Sequence, residues 1–158
     1  MTTHTKRQSN LAAKGPTRKV SPASVLQNAA EAIDIASQLA KRFAKESGNR
    51  DATRRLPQKE LDEFSQSGLW SITIPKKYGG PGVSYTTVAE VIRIIAAADP
   101  SIAQIPQNHI AVLDLIRICA DEDQKQMFFG EVLNGLRLGN AFSEKGSKTA
   151  GHFDAQIR

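Results

Sequence analysis

The residues that most often carry chemistry are few and widely spaced in this sequence. Its three histidines, His4, His109 and His152, are far apart, and Cys119 is the only cysteine. Histidines spaced like this, without a companion cysteine pair, predict no metal site, and one cysteine can form no intrachain disulfide. Because the sequence has neither a G-x-G-x-x-G motif after a strand nor a P-loop, we also expect no Rossmann dinucleotide site and no nucleotide-phosphate loop.

Two places remain at which a site is conceivable. His109 belongs to a helical segment otherwise lined by Ile105, Val112 and Leu113, and taken alone it is expected to be a partly buried histidine bonded to a backbone carbonyl. Residues 139–151 are mostly small and polar, and taken alone they are expected to form a solvated loop. A functional role for either place depends on the elements that position it.

The positive charge of the sequence is concentrated at its N-terminus. Residues 1–20 carry five of the 21 Lys and Arg residues and no acid, which leaves 16 basic against 16 acidic side chains in the remainder. Because the remaining residues carry no net charge, they offer no basic surface for a phosphate backbone, and we expect no nucleic-acid partner. Because residues 1–20 lack the apolar run of a secretory signal and the amphipathic face of a transit peptide, they are predicted to be a disordered basic tail.

The remaining composition argues against a membrane protein. No run approaches the ~18 apolar residues of a membrane span. A single cysteine is typical of a reducing compartment. We therefore expect a soluble protein of the cytoplasm that does not bind a membrane.

Between residues 21 and 135 the apolar side chains recur with the period of an α-helix, which predicts an N-terminal helical domain of roughly five helices. Helix starts are expected at a capping box of Ser24 and Gln27, at Pro57, at Ser84, at Asp99 followed by Pro100, and at a second capping box of Asp121 and Gln124. Pro106 is expected to interrupt or kink the fourth helix. The side chains predicted to face the core are Val25, Ala29, Ile33, Ala36, Ala40, Phe43, Leu61, Phe64, Val88, Val91, Ile92, Ile95, Val112, Leu113, Ile116, Met127, Phe128, Val132 and Leu133.

Other segments do not follow the helical period. Gly48 is expected to end the first helix, and residues 50–55 are expected to be a polar linker. Residues 70–75 alternate apolar and polar side chains, which predicts a short extended piece, and residues 78–82 are a dense turn signal. After Gly135 the period changes to that of strands, so residues 136–158 are predicted to begin a β domain of which most is missing.

Two sequence blocks resemble the N-terminal domain of the acyl-CoA dehydrogenase superfamily. Residues 74–84 read Ile-Pro-Lys-Lys-Tyr-Gly-Gly-Pro-Gly-Val-Ser, and a predicted helix leads from them to Ala-Ala-Ala-Asp-Pro-Ser at 96–101. Residues 140–149 occupy the place of that superfamily's flavin-contacting Thr-Glu-Pro-Gly-x-Gly-Ser segment. The resemblance covers residues 25–158 and implies a mainly α fold: an acyl-CoA dehydrogenase-like N-terminal helical domain that runs into the start of a β domain.

Two further blocks are similar to one branch of the superfamily. Gln-Ile-Pro-Gln-Asn-His at 104–109 and Gly-Asn-Ala-Phe-Ser-Glu at 139–144 resemble the sulfur-acquisition oxidoreductases, which include dibenzothiophene monooxygenases. Lys145 stands where the dehydrogenase pattern has proline, and Lys148 stands where it has a glycine. The resemblance therefore implies the N-terminal portion of a flavin-dependent monooxygenase for small organosulfur compounds. The alternatives are an acyl-CoA dehydrogenase and a non-catalytic helical interaction module.

The resemblance also implies a site. The cofactor would be a flavin, either FMN or FAD, contacted by Asn140, Ala141, Phe142, Ser143 and Thr149. Small polar side chains and backbone N–H groups suit the polar edge of a flat apolar ring. His109 would be the catalytic residue, donating a hydrogen bond where oxygen reacts with the reduced flavin in a dry pocket. The 158-residue chain alone is expected to be inactive, and the enzyme is expected to be a homo-oligomer, a tetramer or a dimer.

Overall fold

The computed structural model describes residues 23–139, which form a helical assembly. Its six helices are α1 (Ala29–Phe43), α2 (Ser47–Thr53), α3 (Gln58–Gln66), α4 (Tyr85–Ala98), α5 (Pro100–Cys119) and α6 (Glu122–Leu133). Two short 3-10 turns, Leu69–Ser71 and Lys76–Tyr78, lie between α3 and α4. No strand occurs within residues 23–139. The predicted mainly α fold is confirmed.

Three helix starts lie where local capping chemistry predicts them. The Ser84 side chain accepts a hydrogen bond from the Thr87 N–H at the start of α4, and the Asp99 side chain accepts one from Ile102 at the start of α5. Asp121 and Gln124 form both bonds of a capping box at the start of α6. Each cap satisfies a backbone donor that has no partner inside the helix.

The first helix starts later than predicted. Its cap is Asn28, whose Oδ1 accepts from the Glu31 N–H at 3.0 Å, so the predicted capping box of Ser24 and Gln27 is wrong. The reason is tertiary: the Ser24 N–H donates to the Gln66 carbonyl at 2.9 Å, at the end of α3. Residues 23–27 therefore run beside another helix instead of beginning one.

The core forms where α1 packs against α4, α4 against α5, and α5 against α6. Trp70, on the first 3-10 turn, is 2% exposed and lies among these helices. Its ring lies 4.9 Å from that of Phe64 and 4.7 Å from that of His109, and its Nε1–H donates to Ser65 Oγ at 2.9 Å. The other fully buried large side chains are Phe43, Phe129, Leu39, Leu69, Ile72, Ile74, Ile95, Ile102 and Leu113.

Two predictions between α1 and α4 are wrong. Residues 50–55 are not a polar linker, because most of them belong to α2, and Gly48 lies inside α2 instead of ending a helix. Residues 70–75 are not extended. Ser71 is 1% exposed, with its hydroxyl bonded to the Gly68 carbonyl at 2.9 Å, so this segment turns and buries a polar side chain that was expected to face solvent.

Two predictions about α5 and α6 also need correction. Pro106 lies within α5, which continues over 20 residues, so the proline does not interrupt the helix. In α6 the buried side chains are Phe129 and Val132, whereas Met127 is 55% exposed. Residues 127–129 are all apolar, so the helical pattern leaves open, within about one position, which of them faces the core.

The last described residues turn back from α6. Gly135, at φ +95°, donates from its N–H to the Val132 carbonyl, and the Leu136 N–H donates to Glu131. These two bonds make a Schellman motif, which a glycine in the left-handed region permits. The predicted stop at Gly135 is confirmed. The predicted β segment is described only as far as Gly139, and the predicted basic tail lies outside the described residues.

Candidate functional site

His109 is the candidate catalytic residue that lies within the described part of the chain. It is on the middle of α5 and is 1% exposed, between the first 3-10 turn and the segment that follows α6. Its Nε2 lies 2.8 Å from the Trp70 carbonyl oxygen, and its Nδ1 lies 3.0 Å from the Leu138 backbone nitrogen. One imidazole ring therefore joins three stretches of chain.

The two partners determine the protonation of the His109 ring. A backbone N–H can only donate, so Nδ1 must be unprotonated to accept from Leu138, and Nε2 must carry the proton that it donates to the Trp70 carbonyl. Burial lowers the pKa of His109 to about 4, although the bond to the Trp70 carbonyl acts in the opposite direction. The ring is neutral at pH 7, and both nitrogens are engaged within the fold.

This arrangement bears on both interpretations of His109. The bond to a backbone carbonyl is the one expected for a buried structural histidine. In this arrangement Nε2–H is already donated to Trp70, so a direct bond to a flavin-bound oxygen would require it to leave the Trp70 carbonyl. A role in catalysis remains a prediction.

The chain that reaches His109 from α6 is held at successive positions. After the Schellman motif at Gly135, the Arg137 guanidinium lies 3.6 Å from the Asp62 carboxylate on α3. The Leu138 side chain packs against the core, and its N–H reaches His109. The direction in which the chain leaves the helical domain is therefore determined by described contacts.

The turn at residues 78–82 is built by close packing. A Cβ added to Gly80 would lie 2.3 Å from the Ile74 carbonyl oxygen, so only glycine fits there. The Tyr78 hydroxyl donates to the Glu122 carboxylate, 2.8 Å from the nearer oxygen, and the Tyr78 ring lies 5.0 Å from that of Phe129. The motif that carries the family resemblance thus attaches this turn to α6, and it has a structural role.

The second motif, at residues 96–101, contains a buried charge cluster. Asp99 caps α5 and also pairs with the Arg50 guanidinium, which donates 2.8 Å bonds to Glu60 Oε1 and to the Phe43 carbonyl. Burial acts to raise the pKa of Asp99, but the bonds from Arg50 and from the Ile102 N–H outweigh it and hold that pKa below its ordinary value. No local sequence pattern identifies Arg50, because its partner Asp99 is 49 residues away.

A groove of about 470 Å³ lies beside this cluster, between α2 and the start of α5. Its walls include the charged side chains of Arg50, Asp51, Arg54, Arg55 and Asp99, and no aromatic side chain among the described residues lines it. Pro57, Pro100 and Ile102 add apolar surface to the same groove.

The predicted flavin contacts Asn140, Ala141, Phe142, Ser143 and Thr149 all lie outside the described residues. Within residues 23–139 there is no group of three or more His, Cys, Asp or Glu side chains that could hold a metal ion. None of the helices described here is long and apolar enough to span a membrane.

Comparison with known proteins assigns the family. Residues 29–136 match the acyl-CoA dehydrogenase, N-terminal domain, and the chain belongs to that family. It is 36% identical over 115 residues to the probable FMNH2-dependent monooxygenase SfnC of Pseudomonas putida, covering 66% of this chain and 29% of that protein. It is 30% identical over 116 residues to a dibenzothiophene monooxygenase of Rhodococcus erythropolis, covering 73% of this chain and 28% of that one.

A solved structure has the same fold. The FMN-bound TdsC of Paenibacillus sp. A11-2 superimposes with a TM-score of 0.59 and 33% sequence identity, over 65% of this chain and 26% of that chain. The superfamily and the branch predicted from the sequence blocks are both confirmed. The chain spans less than a third of the length of each of these relatives.

Proposed function

We propose that this chain is the N-terminal portion of an FMN-dependent monooxygenase that oxidises small organosulfur compounds. The observation that carries the proposal is its similarity, at 33% identity, to a structure that binds FMN. Two further relatives, at 36% and 30% identity, are named for FMNH2-dependent and dibenzothiophene monooxygenation. The family alone would allow a dehydrogenase, and the names of the relatives within it favour the monooxygenase.

The flavin contacts that we propose are Asn140, Ala141, Phe142, Ser143 and Thr149. They follow the described helical domain directly, and residues 136–158 would be the start of a flavin-contacting β domain. Reduced flavin supplies two electrons and two protons, so that one atom of O2 is transferred to the substrate sulfur and the other leaves as water. FMN is favoured over FAD because FMN is the flavin named in the relatives.

The chain's own contribution on this proposal is to hold Leu138, two residues before the proposed flavin contacts begin, against His109 on α5. The His109 imidazole bonds to both the Trp70 carbonyl and the Leu138 N–H, and the side chains of His109 and Trp70 are buried. Their burial strengthens the polar contacts of any site built next to them. We also propose a homo-oligomer, as the family resemblance implies, and a cytoplasmic location, which a sequence with a single cysteine favours.

The test is made on the full-length protein. Purified with FMN and a flavin reductase, it should convert dibenzothiophene or a smaller thioether into the sulfoxide or sulfone, using one O2 for each oxygen transferred. An acyl-CoA dehydrogenase would instead reduce an electron acceptor when given an acyl-CoA. A colourless protein that binds no flavin would support the interaction module and overturn the proposal.

A further inference from the structure

The backbone at Leu138 is held by a side chain from a different helix. Its N–H donates to His109 Nδ1 at 3.0 Å, across 29 residues of sequence. Leu138 lies two residues before Asn140, where the proposed flavin contacts begin. Between them stands Gly139, and no heavy atom of the described residues lies within 4 Å of a Cβ added to it. The last well-packed position before the proposed flavin contacts is therefore Leu138.

We propose that His109 is a positioning residue, whose Nδ1 holds the Leu138 N–H and thereby sets the direction and register in which the chain enters the flavin-contacting segment. This inference rests on the proposed function. It differs from the role implied by the family resemblance, in which His109 donates a hydrogen bond where oxygen reacts with the flavin. Here Nε2–H is donated to Trp70 and serves to hold the ring still.

The chemistry of the two partners explains why the residue is a histidine. The position needs a donor toward the Trp70 carbonyl and an acceptor toward the Leu138 N–H, on one rigid group. Neutral imidazole offers one nitrogen of each kind, whereas lysine and arginine offer no acceptor. The His109 and Trp70 rings also pack edge to face, with centroids 4.7 Å apart and planes at 73°, which restricts the rotation of the imidazole. Both the placement and the tautomer of the ring are thus determined by its surroundings.

Two substitutions distinguish the roles of the two ring nitrogens of His109. In His109→Asn the side-chain oxygen takes the place of Nδ1, so an acceptor for Leu138 is kept and the donor to Trp70 is lost. In His109→Gln the side-chain nitrogen takes the place of Nε2, so the donor is kept and the acceptor for Leu138 is lost. Both place an amide in the same buried position. Gln126→Ala, at an exposed position of α6, is the control for a change outside the site.

The first measurement is hydrogen exchange of the Leu138 amide in the 158-residue chain. Loss of one hydrogen bond should speed its exchange about tenfold in His109→Gln, while His109→Asn and Gln126→Ala should remain near the wild-type rate. Equal exchange in His109→Gln and the wild type would overturn the inference. If either variant fails to fold, scalar coupling across the hydrogen bond between Leu138 N–H and Nδ1 is measured in the wild-type chain, and its absence would have the same consequence.

The second measurement is FMN affinity and sulfur oxidation in the full-length enzyme. A positioning role predicts that His109→Gln binds FMN about tenfold more weakly and that His109→Asn restores most of the affinity. If His109 instead donated directly to the reacting oxygen, His109→Gln would retain more sulfur oxidation than His109→Asn, and the FMN affinity of both variants would be unchanged. That result would overturn the inference. If the wild-type enzyme bound no flavin, the proposed function would fail first and the inference with it. If the wild-type enzyme bound FMN and His109→Gln bound it with the same affinity, the inference would fail and the proposed function would stand.

Discussion

The Arg50 guanidinium and the Asp99 carboxylate form a buried ion pair between α2 and the start of α5. The side chains are 5% and 4% exposed, and Asp99 accepts the Ile102 N–H at the same time. Arg50 also contacts Glu60, of which one oxygen is buried without a hydrogen-bond partner among the described residues. Arg50 therefore bridges two buried anions at the junction of three helices, and the half-exposed Arg55 lies 3.8 Å from the Glu60 carboxylate.

Removal of Arg50 is expected to cost much more stability than removal of an exposed arginine. Arg50→Ala leaves Asp99 buried without its cation and leaves Glu60 with only the more distant Arg55, and breaking such a buried pair costs about 3–5 kcal/mol. Arg42→Ala breaks a comparable 3.1 Å pair with Glu63 at a side chain that is 51% exposed, and should cost less than about 1 kcal/mol. Urea denaturation of the two variants measures the difference. Similar losses in both would show that the cluster is solvated.

The free energy of unfolding is expected to fall as the pH drops from 6.5 toward 4. Burial lowers the pKa of His109 to about 4 in the folded chain, so between these values only the unfolded chain takes up the proton. Protons bound to the unfolded state alone lower stability, by about 1.4 kcal/mol for each pH unit. Above pH 6.5 His109 contributes no slope.

The control for this slope is His109→Asn, which has no titrating group at the position. The wild-type curve minus the variant curve should contain the His109 contribution alone. Asp99 acts in a lower window, because its folded pKa lies below 3.8 and the stability that it contributes is lost only as the pH falls through that pKa. Parallel curves for the wild type and the variant between pH 6.5 and 4 would contradict the burial of a neutral ring.

Local chemistry explains which elements are predictable from the sequence. The caps at Ser84, Asp99 and Asp121 depend on residues at most three positions away, and all three are found as predicted. Ser24 has the same local signature, but its backbone is bonded to the Gln66 carbonyl, and no local pattern contains that information. The same holds for Arg50, which resembles a solvated residue until Asp99 is brought beside it.

The candidate site also depends on partners that are distant in sequence. The interpretation of His109 depends on Trp70 and Leu138, which are 39 and 29 residues away in sequence. Neither partner contributes a side-chain polar group to the bonds, because both bonds are to backbone atoms. A residue-type pattern cannot reveal such partners, so the sequence left both roles of His109 open.

Two glycine substitutions should change stability in opposite directions. Gly80→Ala would place a Cβ 2.3 Å from the Ile74 carbonyl oxygen, and the overpacking should destabilise the chain by about 1–3 kcal/mol. Gly130→Ala, inside α6, meets no atom within 4 Å and should stabilise it by up to about 1 kcal/mol, because alanine favours the helix. Thermal unfolding of both variants tests the pair. A neutral Gly80→Ala would mean that the turn has room to move.

The 158-residue chain alone is expected to bind flavin weakly and to turn over no substrate. It spans 26% of the FMN-bound relative, so on our proposal it supplies one side of a pocket. A flavin face left in water forfeits about 25 cal/mol for each Å² that is not buried. Titration of FMN and FAD, followed by flavin fluorescence, measures the affinity. Stoichiometric binding at micromolar flavin would show that the chain is a complete flavin module.

Trp70 is the only tryptophan of the sequence, and it lies at the junction held by His109. Its indole is buried, its Nε1–H is bonded to Ser65, and its carbonyl accepts from His109. Intrinsic tryptophan fluorescence of the protein therefore reports on this junction. Emission should be blue-shifted in the native chain, and a red shift that precedes the loss of helical circular dichroism would reveal water entering this junction before the helices unfold.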